Sequence, residues 1–217
     1  MRTALTREVW ESVNESWMVL KDALAVRVGE RDLPQVLTLI RHRSAQVRGA
    51  FAGSMLRNDI YNFARIGTFI ERADNTARLL DVKYYVLLPS AQAVGSNLDN
   101  VQWETILRSV SAEGAYRMTF GQDVRPRNIA EFLICDTRMP RSLAFSVRKL
   151  HDNFGYLGAS YGTRLSSHAK TEALRDETFG RAIDDIFASG LHEFIQDFLA
   201  SLAAIGSQVE IDYRFYA

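Results

Sequence analysis

The chain has 217 residues, 47% of them hydrophobic, and its 26 basic and 26 acidic side chains give a formal net charge of zero. This size and composition suffice for one substantial core, or for two closely packed helical halves. A neutral chain has no broad electrostatic attraction for nucleic acid or an anionic membrane, so we expect neither as a partner. The basic residues Arg41, His42, Arg43 and Arg48 are interpreted as a solvated helix face.

Cysteine use and the N-terminal sequence favour a reducing compartment. Cys135 is the single cysteine, so no intrachain disulfide can form. It lies in an apolar run and is predicted to be a buried, inert thiol. Residues 1–6 lead directly into an amphipathic helix without a signal peptide, and no apolar stretch reaches the length of a membrane span. We therefore expect a soluble cytoplasmic protein.

Helical periodicity dominates the first part of the chain. Thr6 is a suitable N-cap for a first helix, with an apolar stripe, that ends by Gly29. A second helix is predicted over residues 33–51, with Pro34 in its first turn and a bend or break at 53–54. A third helix is predicted from Asn58 or Asp59 to Leu88.

A polar stretch then predicts an exposed linker over residues 90–99. It divides one domain, residues 1–217, into helical halves of residues 1–89 and 100–217. Asn100 is the expected N-cap of the next helix, which covers residues 101–110.

The second part also predicts helices, with one irregular stretch at 113–125. Pro126 opens a short helix to Cys135, and Pro140 opens the next helix, which runs to His151 or to Leu157. The glycines that follow leave the next region unassigned, and two further helices cover 182–188 and 191–209. No alternating apolar pattern of strand length persists. The sequence therefore predicts an all-α fold, an antiparallel bundle with helices of unequal length.

Residues 67–89 place charged side chains at helical spacing among apolar ones. Glu71, Asn75, Arg78 and Val82 follow steps of four, three and four, and Asp74, Arg78 and Asp81 form a second row. Residues three or four apart on a helix are surface neighbours, so acid, amide and guanidinium groups lie side by side. Polar groups next to buried positions must be paired or used. With Arg72 on the same helix and Arg141 as a partner distant in sequence, these residues form what we call the polar cluster: Glu71, Arg72, Asp74, Asn75, Arg78, Asp81 and Arg141.

The same segment carries a family resemblance. Residues 71–82, Glu-Arg-Ala-Asp-Asn-Thr-Ala-Arg-Leu-Leu-Asp-Val, resemble the signature of the alpha-E family, bacterial all-helical proteins of poorly defined function. Further blocks agree in order, at residues 8–14, 53–57, 107–112, 128–134 and 139–143. The resemblance covers nearly the whole chain and implies an all-helical fold. Family members usually begin with an additional helical segment that carries an earlier copy of the motif, so the resemblance also implies a shortened member or a fragment.

The resemblance also implies a biochemical setting. Alpha-E proteins are typically encoded beside, or fused to, circularly permuted ATP-grasp proteins, often with transglutaminase-like proteins. That association implies a peptide-forming or peptide-modifying system in which the ATP-grasp partner activates a carboxylate. The chain would then be a helical accessory or substrate-binding protein without independent activity. The alternative is an enzyme that acts on a peptide or amino-acid amide through Glu71, Asp74, Arg78 and Arg141.

The polar cluster itself leaves two interpretations open. In the structural one, it is a partly buried network that sets helix register and pairs with Arg57, Arg65 or Arg141 on neighbouring helices, because the planar guanidinium binds carboxylates in two places. In the functional one, the cluster faces a cleft and binds an amino acid or a peptide terminus. Arg78 and Arg141 would then bind the carboxylate, and Glu71 or Asp74 the amine. A protein-binding face is a third use of the same groups.

Motifs for metal and cofactor chemistry are absent from the sequence. None of the four histidines has a glutamate three residues before it, and there is no second cysteine. Asp184, Asp185 and His192 are the nearest approach to a metal site, but Ser189 and Gly190 interrupt the helix between them. The chain also lacks a phosphate-binding glycine loop and a nucleophile elbow. We therefore expect no metal and no cofactor.

The last residues of the chain are rich in aromatic side chains. Asp212, Tyr213, Arg214, Phe215 and Tyr216 are predicted to pack on the body of the protein, with docking on a partner as the alternative.

Overall fold

The computed structural model describes residues 4–85 and 97–215, and the regular structure in these ranges is entirely helical. The helices are α1 (Arg7–Ala23), α2 (Leu33–Ser54), α3 (Asp59–Tyr85), α4 (Asn97–Ser109), α5 (Glu113–Phe120), α6 (Pro126–Ile134), α7 (Leu143–Tyr161), α8 (Ser166–Phe179), α9 (Ile183–Ser189) and α10 (Leu191–Asp212). Their lengths range from 7 residues in α9 to 27 in α3. The predicted all-α bundle with helices of unequal length is confirmed.

The chain divides into two compact units, Met1–Tyr61 and Asn62–Ala217. The boundary lies in the first turn of α3. It differs from the predicted halves 1–89 and 100–217, whose linker at 90–99 lies mostly outside the described residues. Within the described part of the chain, no helix is both long enough and apolar enough to cross a membrane.

The first unit is a pair of packed helices, α1 and α2, followed by the start of α3. Thr6 caps α1 as predicted, and its Oγ1 also lies 2.6 Å from Oγ of Ser54 at the end of α2. Nη1 of Arg43 on α2 donates to Glu15 on α1 at 2.8 Å. Large apolar side chains of both helices are exposed: Trp17 on α1 is 65% exposed and Leu37 on α2 is 55% exposed.

The second unit contains the main hydrophobic core. Helix α8 packs on both α7 and α10, while α6 contacts α4, α5, α7 and α9. The largest fully buried side chains of this core come from α3, α4, α5, α6 and α7: Phe69, Leu80, Leu107, Tyr116, Ile129, Leu133, Ile134, Leu143, Leu150, Phe154 and Leu157. This dense packing fixes the part of α3 that carries the polar cluster.

Two predicted boundaries and part of one predicted loop are wrong. Residues 113–120 of the predicted irregular stretch form α5, which buries Tyr116 in the core, while residues 121–125 are non-helical as predicted. Helix α4 begins at Asn97, so Asn100 lies inside it rather than capping it. Short polar side chains suit both loops and first helical turns, and their pattern could not place this boundary. The first helix ends at Ala23, before the expected Gly29.

Helix α7 extends beyond the predicted end near Leu157 to Tyr161, where Gly162 ends it with a left-handed φ of 66°. The two glycines inside it did not break it. Gly158 has a packing role, because an added Cβ would lie 3.2 Å from Nε2 of His168 and 3.4 Å from the carbonyl oxygen of Thr163. The predicted extension of the third helix from Tyr85 to Leu88 lies outside the described residues.

Candidate functional site

Helix α3 has one buried face and one exposed polar face. Phe69, Ala73, Ala77 and Leu80 are fully buried at steps of four, four and three. The predicted row Glu71, Asn75, Arg78 and Val82 lies about half a turn away from them, and all four residues are exposed. The apolar neighbours that suggested burial of this row belong to the other side of the helix.

The exposed face holds one ion pair. Nε of Arg78 donates to Oδ2 of Asp74 at 2.7 Å, one helical turn away. The hydrogen bond and charge of Asp74 raise the pKa of Arg78 above its usual value. Glu71 and Asn75 have no hydrogen-bond or ion-pair partner among the described residues. This face therefore offers a carboxylate, an amide and a guanidinium to solvent.

Arg72 connects α3 to the turn before α7. Its Nη1 donates to the carbonyl oxygen of Pro140 at 3.2 Å, and its guanidinium carbon lies 5.3 Å from the ring centroid of Phe69. Arg141, the next residue, is exposed. The contact with α3 is made by the backbone of Pro140, and the Arg141 side chain itself is open to solvent.

Local hydrogen bonds hold the turn that carries Arg141. Oγ of Ser142 caps α7 by accepting from the Phe145 backbone N–H at 2.9 Å, and it donates to the carbonyl oxygen of Asp136 at 2.5 Å. Asp136 accepts from both the backbone and the guanidinium of Arg138. The Arg138 side-chain hydrogen bond keeps the pKa of Asp136 below its usual value. The backbone that positions Arg141 is therefore well fixed.

Asp81 belongs to a different environment at the other end of the cluster. Its Oδ1 accepts from Nδ1 of His192 at 2.6 Å, and its Oδ2 accepts from Nε2 of Gln196 at 2.9 Å. Asp81 and His192 are each 21% exposed. These bonds link α3 to α10 across 111 positions of sequence. Neither partner is predictable from the sequence, because nothing in the local pattern relates His192 or Gln196 to Asp81.

The structure divides the polar cluster into three parts rather than joining it in one network. One part is the exposed face of α3, the second is Arg72 with the turn that carries Arg141, and the third is Asp81 with its bonds to α10. Asp81 and Arg72 make structural links to other elements, as the network interpretation required, but to partners that it did not name. Arg65 lies over the Phe69 ring at 4.5 Å, and Arg57 donates to the carbonyl oxygens of Ala52 and Met55. Neither arginine binds a carboxylate of the cluster.

The residues weighed for a metal site lie in separate interactions. Asp184 forms a bidentate pair with Arg127, with both distances 2.7 Å, while His192 binds Asp81. The Arg127 hydrogen bond keeps the pKa of Asp184 low. Among the residues that the structure describes, no group of three or more His, Cys, Asp or Glu side chains is arranged to hold a metal ion. Burial, with help from the charge of Glu131, raises the pKa of the Cys135 thiol to about 11.

Comparison with known proteins places the chain in one family. The alpha-E family model, described as a predicted alpha-helical domain with a conserved ER motif, matches residues 1–213. Glu71 and Arg72 are a Glu-Arg pair within the segment that carries the resemblance. No curated protein and no solved structure matches the chain.

Proposed function

The chain belongs to the alpha-E family, and on that premise we propose that it is a helical accessory or substrate-binding protein of an ATP-grasp amide ligase. The ligase would form or modify a peptide, and this chain would present an amino acid or a peptide terminus to it. The association with ATP-grasp proteins comes from the family resemblance. The exposed charged face of α3 is the observation that carries the binding role.

The exposed groups match the two ends of an amino acid. Arg141 is held near α3 by the bond from Arg72 to Pro140, and its guanidinium suits a carboxylate. Glu71 suits an ammonium group and is unpartnered among the described residues. Arg78 is paired with Asp74, but exposed ion pairs contribute little to stability and exchange readily. A ligand carboxylate can therefore compete for Arg78 at small cost.

The geometry favours binding over independent catalysis. A general base must be positioned within hydrogen-bond reach of the proton that it takes, and its own orientation is normally fixed by neighbours. Glu71 is exposed, and no described residue orients its carboxylate. Asp81 is oriented by two bonds, but both connect it to α10 and serve packing.

The first unit supplies a surface of the kind that a partner chain covers. Val13, Trp17, Leu24 and Leu37 are each more than 40% exposed on or next to helices α1 and α2. Large exposed apolar side chains are typical of protein interfaces when a partner covers them. We propose that this apolar surface of the first unit contacts the ligase.

Co-expression with an ATP-grasp ligase encoded beside the gene tests this proposal. The two chains should elute together in size-exclusion chromatography, and ADP release by the ligase should depend on both this chain and one class of amino acid. Trp17→Ser should abolish the complex. Met118→Ser, at a side chain that is 90% exposed on α5, is the matched control and should leave the complex intact.

A different variant tests whether this chain presents the substrate to the ligase. Arg141→Gln should leave the complex intact but raise the KM for the amino acid about tenfold, as expected for a lost charged hydrogen bond. Arg181→Gln, at another exposed arginine, should not change it. Two chains that elute separately, with ADP release unaffected by this protein, would overturn the proposal. Amino-acid turnover by this chain alone, abolished by Glu71→Gln, would support the enzyme alternative.

A further inference from the structure

A second candidate site lies at the end of α10, away from the α3 polar cluster. A concave space of about 480 Å³ is lined there by aromatic and polar side chains. Four aromatic rings contribute to it: Phe63 of α3, Tyr161 of α7, and Tyr213 and Phe215 after α10. Tyr161 and Phe215 are 50% and 57% exposed, so their rings are accessible from solvent. The predicted packing of the aromatic tail on the body is thus observed as far as Phe215.

The four rings form one connected surface. The Phe63 ring meets Tyr213 and Phe215 edge to face, with centroids 4.8 and 5.0 Å apart. Tyr161 lies 5.8 Å from Tyr213. Each aromatic face carries negative electrostatic potential, so several rings around one concave space favour a cation over an anion.

Asp212 adds a full negative charge to the same lining. Its Oδ2 accepts from the Ser167 backbone N–H at 2.7 Å, and its Oδ1 accepts from the Gln208 amide at 2.8 Å. Burial acts to raise the pKa of Asp212, but the hydrogen bonds from Ser167 and Gln208, with a smaller charge interaction with His168, lower it overall. Both donors are neutral, so the carboxylate is fixed in place while its charge is left uncompensated by them.

Tyr213 remains a neutral ring in this setting. Burial and the neighbouring Asp212 charge raise its phenol pKa to about 12. Arg214 also lines the space and is exposed, yet among the described residues it neither pairs with Asp212 nor lies over one of the four rings. The protein's own cation therefore does not occupy the aromatic surface.

From this arrangement we propose that the aromatic pocket at Phe63, Tyr161, Tyr213 and Phe215 binds an organic ammonium group. The rings contact the alkyl groups around the nitrogen, and Asp212 balances its charge. Arg214 at the rim donates hydrogen bonds to the carboxylate when the ligand is an amino acid or a betaine. The site does not depend on the proposed association with a ligase.

Choline and its neutral isostere 3,3-dimethylbutan-1-ol provide the test on the full chain. They have the same shape and differ in charge. Comparing their titrations, followed by NMR of the aromatic side chains, therefore measures how much the positive charge contributes to binding. We expect choline to bind saturably with a Kd of about 1–10 mM and the alcohol to bind at least about fivefold more weakly. Equal binding of the two would overturn the proposal, as would the absence of saturation by choline at about 100 mM.

Ring variants locate the site. Tyr161→Leu and Phe215→Leu should each weaken choline binding about two- to fivefold, the range expected for one exposed cation–π contact. Asp212→Asn should weaken it further. Tyr156→Leu and Phe187→Leu remove exposed rings elsewhere in the same unit and should leave the Kd unchanged. Unchanged binding in Tyr161→Leu and Phe215→Leu would overturn the assignment to this pocket.

Discussion

Asp81 and Glu71 are both acids of the same helix, but their surroundings give them different roles. Asp81 accepts hydrogen bonds from His192 and Gln196 and is 21% exposed. Glu71 faces solvent. Matched amide substitutions separate these roles. Asp81→Asn should lower the free energy of unfolding by about 1–2 kcal/mol, because it removes a charge-assisted bond and leaves a polar group poorly paired. Urea unfolding monitored by circular dichroism measures the change.

Glu71→Gln is the control for this prediction. It should leave the unfolding midpoint unchanged within error, because no described residue bonds to the Glu71 carboxylate. Equal destabilisation by both substitutions would show that Glu71 is part of a structural network. No effect of Asp81→Asn would show that the links to His192 and Gln196 contribute nothing to stability.

Sequence spacing identified the polar residues of α3 but not which of them face the core. The row Glu71, Asn75 and Arg78 was correctly placed on one helix face, since helical geometry depends on spacing alone. The burial of that face depends on neighbours distant in sequence. Asp81 finds His192 only because α10 packs beside α3, and no local pattern contains that information.

At the scale of single elements, the start of α7 depends on one serine. Ser142 is fully buried, and its Oγ both accepts from Phe145 N–H and donates to the carbonyl of Asp136. Ser142→Ala should therefore lower the free energy of unfolding by about 1–3 kcal/mol, combining a lost N-cap with a buried bond. Chemical denaturation measures this effect.

The control is Ser166→Ala at the first residue of α8, where the side chain is exposed. This substitution should be close to neutral. Ser142→Ala should also raise the KM in the ligase assay, because the same turn positions Arg141. If stability falls by the expected amount while KM stays constant, Arg141 does not depend on the cap for its position.

Helices with a strong local signal were predicted from the sequence more reliably than helices without one. Helices α2, α6 and α10 carry either a proline in the first turn or a long apolar stripe, and both signals are local. Helix α5 has only 8 residues, so its apolar residues complete about two turns and fail to show a clear period. Its apolar side chains pack on α6, where the Tyr116 and Phe132 rings meet edge to face. That contact joins two different helices, so the local sequence pattern of α5 does not predict it.

At the scale of the whole molecule, buried apolar side chains are distributed unequally between the two units. Among the described residues, Val9 and Met55 are the buried hydrophobic residues of the first unit, while the second unit holds the extended core. The apolar stripe of α1 predicted a helix correctly but not burial, since periodicity reports which residues share a face and not what covers it. This inequality predicts different local stabilities within one chain.

Hydrogen exchange followed by mass spectrometry should reveal this difference. Amides of α1 and α2 should exchange at least about tenfold faster than those of α7 and α10, because opening the first unit exposes little buried apolar surface. Binding of the ligase should slow exchange in α1 and α2 selectively, since the partner would cover Trp17 and its neighbours. Trp17→Ser should remove that protection while exchange in α7 and α10 stays slow. Equal exchange rates in both units of the free protein would contradict the predicted difference in local stability. Protection by the ligase that appears only in α7 and α10 would place the interface in the second unit.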